Sequence, residues 1–259
     1  MGWPFMGTRF RQYCLLVLTL TLTSRRAEAA EVLLLAATDA ELQPIMAKLR
    51  SPYPETHAAW KFWLGTLDGR QVVLARTEGD PLNAVAATTL GIRHYSPRLV
   101  LTFGAARAHH PALREGDVVV SGKFAAFDGL ESPVGALAAG SDPLTWSKLP
   151  HALAAEGERE NPTLFFPADP AALARARLLA GARGQVVVGV LGSASQVNRE
   201  ADRVAWLHAQ WGTDCEDGES AAIAGCAQLL GTPVLGMRVI GGAEGEAGVL
   251  VLKFMEDWK

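Results

Sequence analysis

Cysteine is scarce in this chain: Cys14, Cys215 and Cys226 are the only three in 259 residues. No Cys or His pairs stand at zinc-ligand spacing, which excludes a structural zinc site. His109-His110, followed by Pro111, reads as a loop and not as a metal-ligand pair. Runs of Lys and Arg are also missing, and the net charge is −3. A surface for nucleic-acid phosphates is therefore not expected. The sequence has no Walker A and no G-x-G-x-x-G pattern, so nothing supports a triphosphate or a dinucleotide cofactor. It also has no G-x-S-x-G elbow, which removes the simplest hydrolase triad. The expectation is a protein without metal or cofactor.

Long apolar runs are absent too. The one near the N-terminus, Cys14 to Leu22, is too short to span a bilayer comfortably. Arg9 and Arg11 precede it, and Ala27-Glu28-Ala29 follows as a small-x-small cleavage site. Residues 1–29 thus read as a secretory signal peptide, with an uncleaved membrane anchor as the competing reading. The expected location is the periplasm or outside the cell, with no stable membrane insertion after cleavage. Removing four arginines and one glutamate leaves 20 basic and 26 acidic residues, a charge of −6. Export makes a disulfide between Cys215 and Cys226 chemically possible. Cys226, however, lies in the apolar helix-like run 221–227, where a buried thiol is the simpler state.

What is present is a core. The chain is 49% hydrophobic and 20% charged, the balance of an ordered globular protein. From Glu31 onward, strand-like runs alternate with helix-like segments. Val32 to Ala37 is continuously apolar, as expected of a strand buried on both faces. Lys61–Leu67 and Gln71–Ala75 flank the turn Asp68-Gly69 and read as a hairpin. Pro81 to Tyr95 reads as a helix with Asp80 as N-cap and Pro81 at the first helical position. Strands are expected at Leu99–Phe103, Asp117–Ser121, Gln185–Leu191 and Pro233–Val239. Further helices are expected near 170–180, 200–210 and 219–230, and at the C-terminus. The stretch 123–161 has scattered Gly, Pro and Ser and no period, so it is expected to be irregular. The pattern predicts one α/β domain over residues 30–259, a mixed sheet flanked by helices.

In open α/β sheets, ligands gather where strands end and helices begin. That rule selects Thr38-Asp39-Ala40-Glu41, Glu78-Gly79-Asp80, Gly104-Ala105-Ala106, the stretch 192–196, and Glu216-Asp217-Gly218-Glu219-Ser220. Between them stand Asn83-Ala84, the run 113–121 (LREGDVVVS), the run 217–224 (DGESAAIA), and Arg238-Val239-Ile240 after Pro233-Val234. In this order the segments resemble the purine nucleoside phosphorylase/uridine phosphorylase superfamily. They are most similar to the 5′-methylthioadenosine/S-adenosylhomocysteine nucleosidases. The resemblance runs from about Val32 to Val239.

It implies a nucleoside phosphorylase-like fold, a small-molecule nucleoside as partner, a homo-oligomer, and cleavage of an N-glycosidic bond. By position, Glu219 is implied to accept both ribose hydroxyls, which one carboxylate can do for a cis-diol. Its other reading is a first-turn acid complementing a helix dipole. Glu41 is implied to activate the attacking water, while Thr38-x-x-Glu41 also spells a capping box. Ala105 belongs to the implied substrate loop. Val197 stands near the family's base-stacking aromatic, or is an ordinary apolar loop residue. Gly218 replaces a family methionine beside the ribose. Arg107 stands where glycine is usual; it meets an anionic ligand group or pairs with a surface acid. The largest departure is Gly242, which replaces the aspartate that protonates the leaving purine. Glu244 is the nearest substitute in sequence. Hydrolysis is favoured over phosphorolysis, because no phosphate-binding cluster is evident. The alternatives are a nucleoside-binding protein that has lost the acid, and an enzyme for a modified nucleoside that needs no such acid.

Overall fold

The computed structural model describes residues 30–155, 158–181, 183–243 and 245–258. The signal-like segment 1–29 and Glu244 lie outside the described residues. The first strand, β1 (Val32–Ala36), is buried along its whole length, as its unbroken apolar run requires. Thr38 then caps α1 (Asp39–Met46). Strands β2 (Arg50–His57), β3 (Trp60–Leu67) and β4 (Arg70–Arg76) form an antiparallel meander. Pro52 and Pro54 hide β2 from a propensity reading, yet they suit it. It is the edge strand, where a missing N–H costs no ladder bond. Asp80 caps α2 (Pro81–Tyr95), and its Oδ1 accepts from the amides of Leu82 and Asn83 at 2.9 and 3.1 Å.

Strands β5 (Leu99–Ala108) and β6 (Val118–Ala126) are each several residues longer than their apolar runs. The region expected to be irregular carries more order than its Gly and Pro content suggests. It holds short pairs β7 (Leu130–Glu131) with β8 (Ser147–Lys148), and β9 (His151–Ala155) with β10 (Glu158–Thr163). Then follow β11 (Phe166–Pro167), α3 (Pro170–Ala176), β12 (Val186–Ser193) and α4 (Ala201–Trp211). The chain continues with β13 (Cys215–Asp217), α5 (Ser220–Leu229), β14 (Val234–Ile240) and α6 (Glu246–Asp257).

Ten strands form one mixed sheet, which the helices flank. Part of it closes on itself. β5 pairs with β14, β14 with β6, β6 with β12, β12 with β13, and β13 returns to β5. The long β5 makes this closure possible: it pairs with β14 through Val100–Ala106 and with β13 through Arg107 and Ala108. Gly104-Ala105-Ala106 is therefore strand, not the loop the sequence suggested. Cys215 and Cys226 are both buried free thiols, as the apolar setting of Cys226 predicted. Among the described residues no helix is long and apolar enough to cross a membrane.

Candidate active site

All five selected segments, together with the end of β14, line one open cavity of about 610 Å³. Glu219 is 2% exposed on its wall. It is the N-cap residue of α5, yet its side chain makes no capping bond. Asp217 does that work: its Oδ1 accepts from the amides of Glu219 and Ser220, both at 2.7 Å. The amide of Ala221 donates to Ser193 Oγ at 2.6 Å. With the helix end satisfied by others, Glu219 Oε2 is buried without a hydrogen-bond partner. Burial pushes its carboxyl up to about 7, against the pull of the Arg238 guanidinium.

Arg238 is 2% exposed and fully engaged. Its Nε donates to Asp217 Oδ2 at 2.8 Å, and its second terminal nitrogen to Thr102 Oγ1 at 2.9 Å. Such a pair is retained because breaking it strands a buried charge. Here it also anchors Asp217, which in turn fixes the start of α5 beneath Glu219.

Glu41 forms the expected capping box and also lines the cavity. The capping box is formed: Glu41 N donates to Thr38 Oγ1 at 3.2 Å, and Glu41 Oε2 accepts from Thr38 N at 3.3 Å. That same Oε2 accepts from Ala37 N at 3.0 Å, and Oε1 from Ala105 N at 3.0 Å. The box thus turns the carboxylate into the cavity and pins it to the end of β5. Gly104 permits this approach, since a Cβ there would lie 2.5 Å from Glu41 Oε1. Pro44 sits inside α1, and its ring packs against Gly245 and Gly248 of the α6 region.

Ala105, Val197 and Gly218 all line the cavity. Val197 is 61% exposed and brings no aromatic face. Gly218 is demanded by backbone approach, because a Cβ on it would collide with the Gly79 carbonyl. Gly242 lines the cavity too, but a Cβ there would lie 2.8 Å from Val239 Cβ. The position is thus shaped for glycine. The nearest described acid, Glu246, is held by Arg183 through contacts of 3.0 and 2.7 Å.

A second buried carboxylate stands on the same wall. Glu216, 4% exposed, accepts from Asn198 N at 3.1 Å and from Asn198 Nδ2 at 2.7 Å. His109 Nε2 lies 3.1 Å from its Oε2, and His109 Nδ1 lies 2.7 Å from Thr213 Oγ1. Burial works to raise the Glu216 carboxyl, but His109 and Asn198 outweigh it and hold it below the usual range. Arg107 NH1 stands 3.6 Å from Glu216 Oε1, so its neighbour is a buried acid and not a surface one. In the sequence, Glu216 stands at a strand end where ligands gather, while nothing there points to His109. Among the described residues no group of acids, histidines and cysteines is arranged to hold a metal.

A family model described as the phosphorylase superfamily matches residues 31–258. A 5′-methylthioadenosine/S-adenosylhomocysteine nucleosidase of Geobacillus kaustophilus is 26% identical over 227 residues, covering 86% of this chain and 89% of that protein. Among solved structures, the S-adenosylhomocysteine nucleosidase of Streptococcus pyogenes superposes with a TM-score of 0.71 at 18% identity. It covers 89% of this chain and 98% of its own. A futalosine hydrolase mutant of Helicobacter pylori gives a TM-score of 0.69 at 20% identity, over 88% and 97% of the two chains. These structural likenesses bear on the fold.

Proposed function

Because the chain belongs to the phosphorylase superfamily, we propose that it is a nucleosidase that hydrolyses the N-glycosidic bond of a nucleoside. The observation that carries this is the unpartnered Glu219 Oε2, buried in the wall of a cavity that Glu41 also lines. A carboxylate kept free of its own helix end is suited to accept two hydroxyl protons of a ribose diol. Glu41, held by Ala37, Thr38 and Ala105, orients a water and takes its proton as the water oxygen bonds to C1′. Charge supports hydrolysis over phosphorolysis. Glu41, Asp80, Glu216 and Asp217 line the cavity against two arginines, and such a field repels a phosphate dianion. The name of the Geobacillus kaustophilus relative agrees with a nucleosidase.

Export to the periplasm or beyond belongs to the same reading, supported by the basic start, apolar run and Ala27-Glu28-Ala29 end of the first 29 residues. So does a homo-oligomer, supported by Leu82, Val85 and Leu229 standing exposed on the adjoining helices α2 and α5.

Incubation of purified protein with purine and pyrimidine nucleosides, with and without phosphate, tests the reaction. Base release independent of phosphate is expected, with Glu41→Gln lowering kcat by about 10²–10⁴-fold. No release from any nucleoside sinks it, and a strict phosphate requirement converts it to phosphorolysis. The glycine-shaped site at Gly242 favours a second reading, a binding protein without turnover. Tight nucleoside binding by calorimetry, abolished in Glu219→Ala and unaccompanied by base release, selects that one.

A further inference from the structure

One stretch of the cavity wall, Ala194 to Val197, follows β12 and belongs to no helix or strand. Among the described residues, no backbone–backbone hydrogen bond ties residues 195–199 to a neighbour. A segment without such bonds is held by its side chains, or it opens. Two buried points hold this one. Ala194 packs with Phe127, Leu207 and Trp211. Asn198 makes the hydrogen bonds of the segment. Its amide and its Nδ2 donate to Glu216 Oε1 and Oε2 at 3.1 and 2.7 Å, and its Oδ1 accepts from Arg203 Nε at 3.4 Å. Ser195, Gln196 and Val197 stand exposed between the two points. Glu216 is fixed in turn by β13, in register with Gly192 of β12 and Arg107 of β5. His109 Nε2 stands 3.1 Å from its Oε2, and Arg107 NH1 3.6 Å from its Oε1. A buried carboxylate that loses close donors is left poorly solvated, so releasing Asn198 costs more than losing an exposed hydrogen bond.

We propose that Glu216 and Asn198 are positioning residues: their paired bonds form a clasp that holds residues 194–198 as a preformed wall for the ligand. The inference deepens the nucleosidase reading and rests on it. Neither residue takes part in breaking the C1′–N bond. With the clasp shut, the ligand meets a wall that is already ordered. With it open, the ordering cost falls on binding, and apparent affinity drops with the fraction of molecules left closed. Such a role weakens ground state and transition state alike, so it moves KM and leaves kcat.

Reversing the pair tests this. Asn198→Asp sets a second carboxylate against Glu216 and opens the clasp. Adding Glu216→Gln closes it again with donor and acceptor exchanged, because the new amide donates to the new carboxylate and its carbonyl still accepts from the amide of residue 198. His109 tolerates the exchange, since its Nε2 accepts when Nδ1 carries the proton toward Thr213 Oγ1. Trypsin reads the segment directly at Arg199, the exposed residue after Asn198. The wild type is expected to resist cutting there, Asn198→Asp to be cut about tenfold faster, and the double variant to regain resistance. With inosine and adenosine as substrates, KM is expected to rise about tenfold in Asn198→Asp, with kcat within about threefold, and to recover in the double variant. Equal cutting of wild type and Asn198→Asp, a double variant no better than the single one, or a loss confined to kcat overturns the clasp. If Asn198→Asp is cut at many sites it has unfolded, and Asn198→Ala, which adds no charge, must then show the cut confined to Arg199 or the clasp falls. Resistance lost and regained without any base release keeps the clasp and sinks hydrolysis. Base release that neither variant alters does the reverse.

Discussion

Glu219 shows how one residue's chemistry depends on which neighbours decline to bond it. Its carboxyl is raised from 4.5 to about 7 because burial removes water and Asp217, not Glu219, caps α5. The folded protein then keeps a proton that the unfolded chain releases between those two values. Stability contributed by the neutral acid is thus complete below about pH 4.5 and is lost as pH rises through 7, by about 3 kcal/mol in all. Thermal melts from pH 4 to 9 are expected to show the wild type falling relative to Glu219→Gln across that window; parallel curves refute the assignment. Ligand binding runs the other way. A diol donates its protons to an ionised carboxylate, so nucleoside affinity is expected to rise with pH through about 7 and to stay flat in Glu219→Gln.

At the scale of elements, the junction of β1, α1 and β5 makes the second carboxylate useful. Thr38-x-x-Glu41 is legible in the sequence as a capping box, and Glu41 as a candidate base. In the structure they are one device, since the box orients the side chain that Ala105 N then receives. Gly104→Ala tests the coupling. Its Cβ would lie 2.5 Å from Glu41 Oε1 and must displace that carboxylate. A drop in kcat of about 10²-fold with little change in KM is expected, since misplacing a reacting group by about 1 Å costs that much. Unchanged kcat contradicts the role given to Glu41. The helix α2 was fully legible, because Asp80 and Pro81 announce its start by local chemistry alone. The edge strand β2 was not, because its prolines are tolerated only by virtue of having no neighbour on one side.

For the whole molecule, the exposed apolar side chains on the adjoining helices α2 and α5 support the proposed oligomer. Leu82 is 82% exposed and Leu229 49%. Sedimentation equilibrium is expected to give a multiple of the chain mass, and the double variant Leu82→Glu, Leu229→Glu is expected to shift it toward the monomer. A wild type that is monomeric at micromolar concentration rules out association through this face.

The amino-acid sequence by itself determined the alternation of strands and helices, the buried strand β1, and the segments that meet at the cavity. These are local matters: apolar runs, caps and turn residues act within a few positions of one another. Tertiary structure alone decided what the side chains in those segments do. Glu216 with His109, Arg238 with Asp217, and Arg107 with Glu216 are separated by 21 to 109 residues, and Arg238 reaches Thr102 from the neighbouring strand. The pairing of β5 with β13 and β14 brings them together, and that pairing involves residues whose own sequence reads as loop. Burial then sets the charge of Glu219, a property of its place in the cavity wall and not of the residue type.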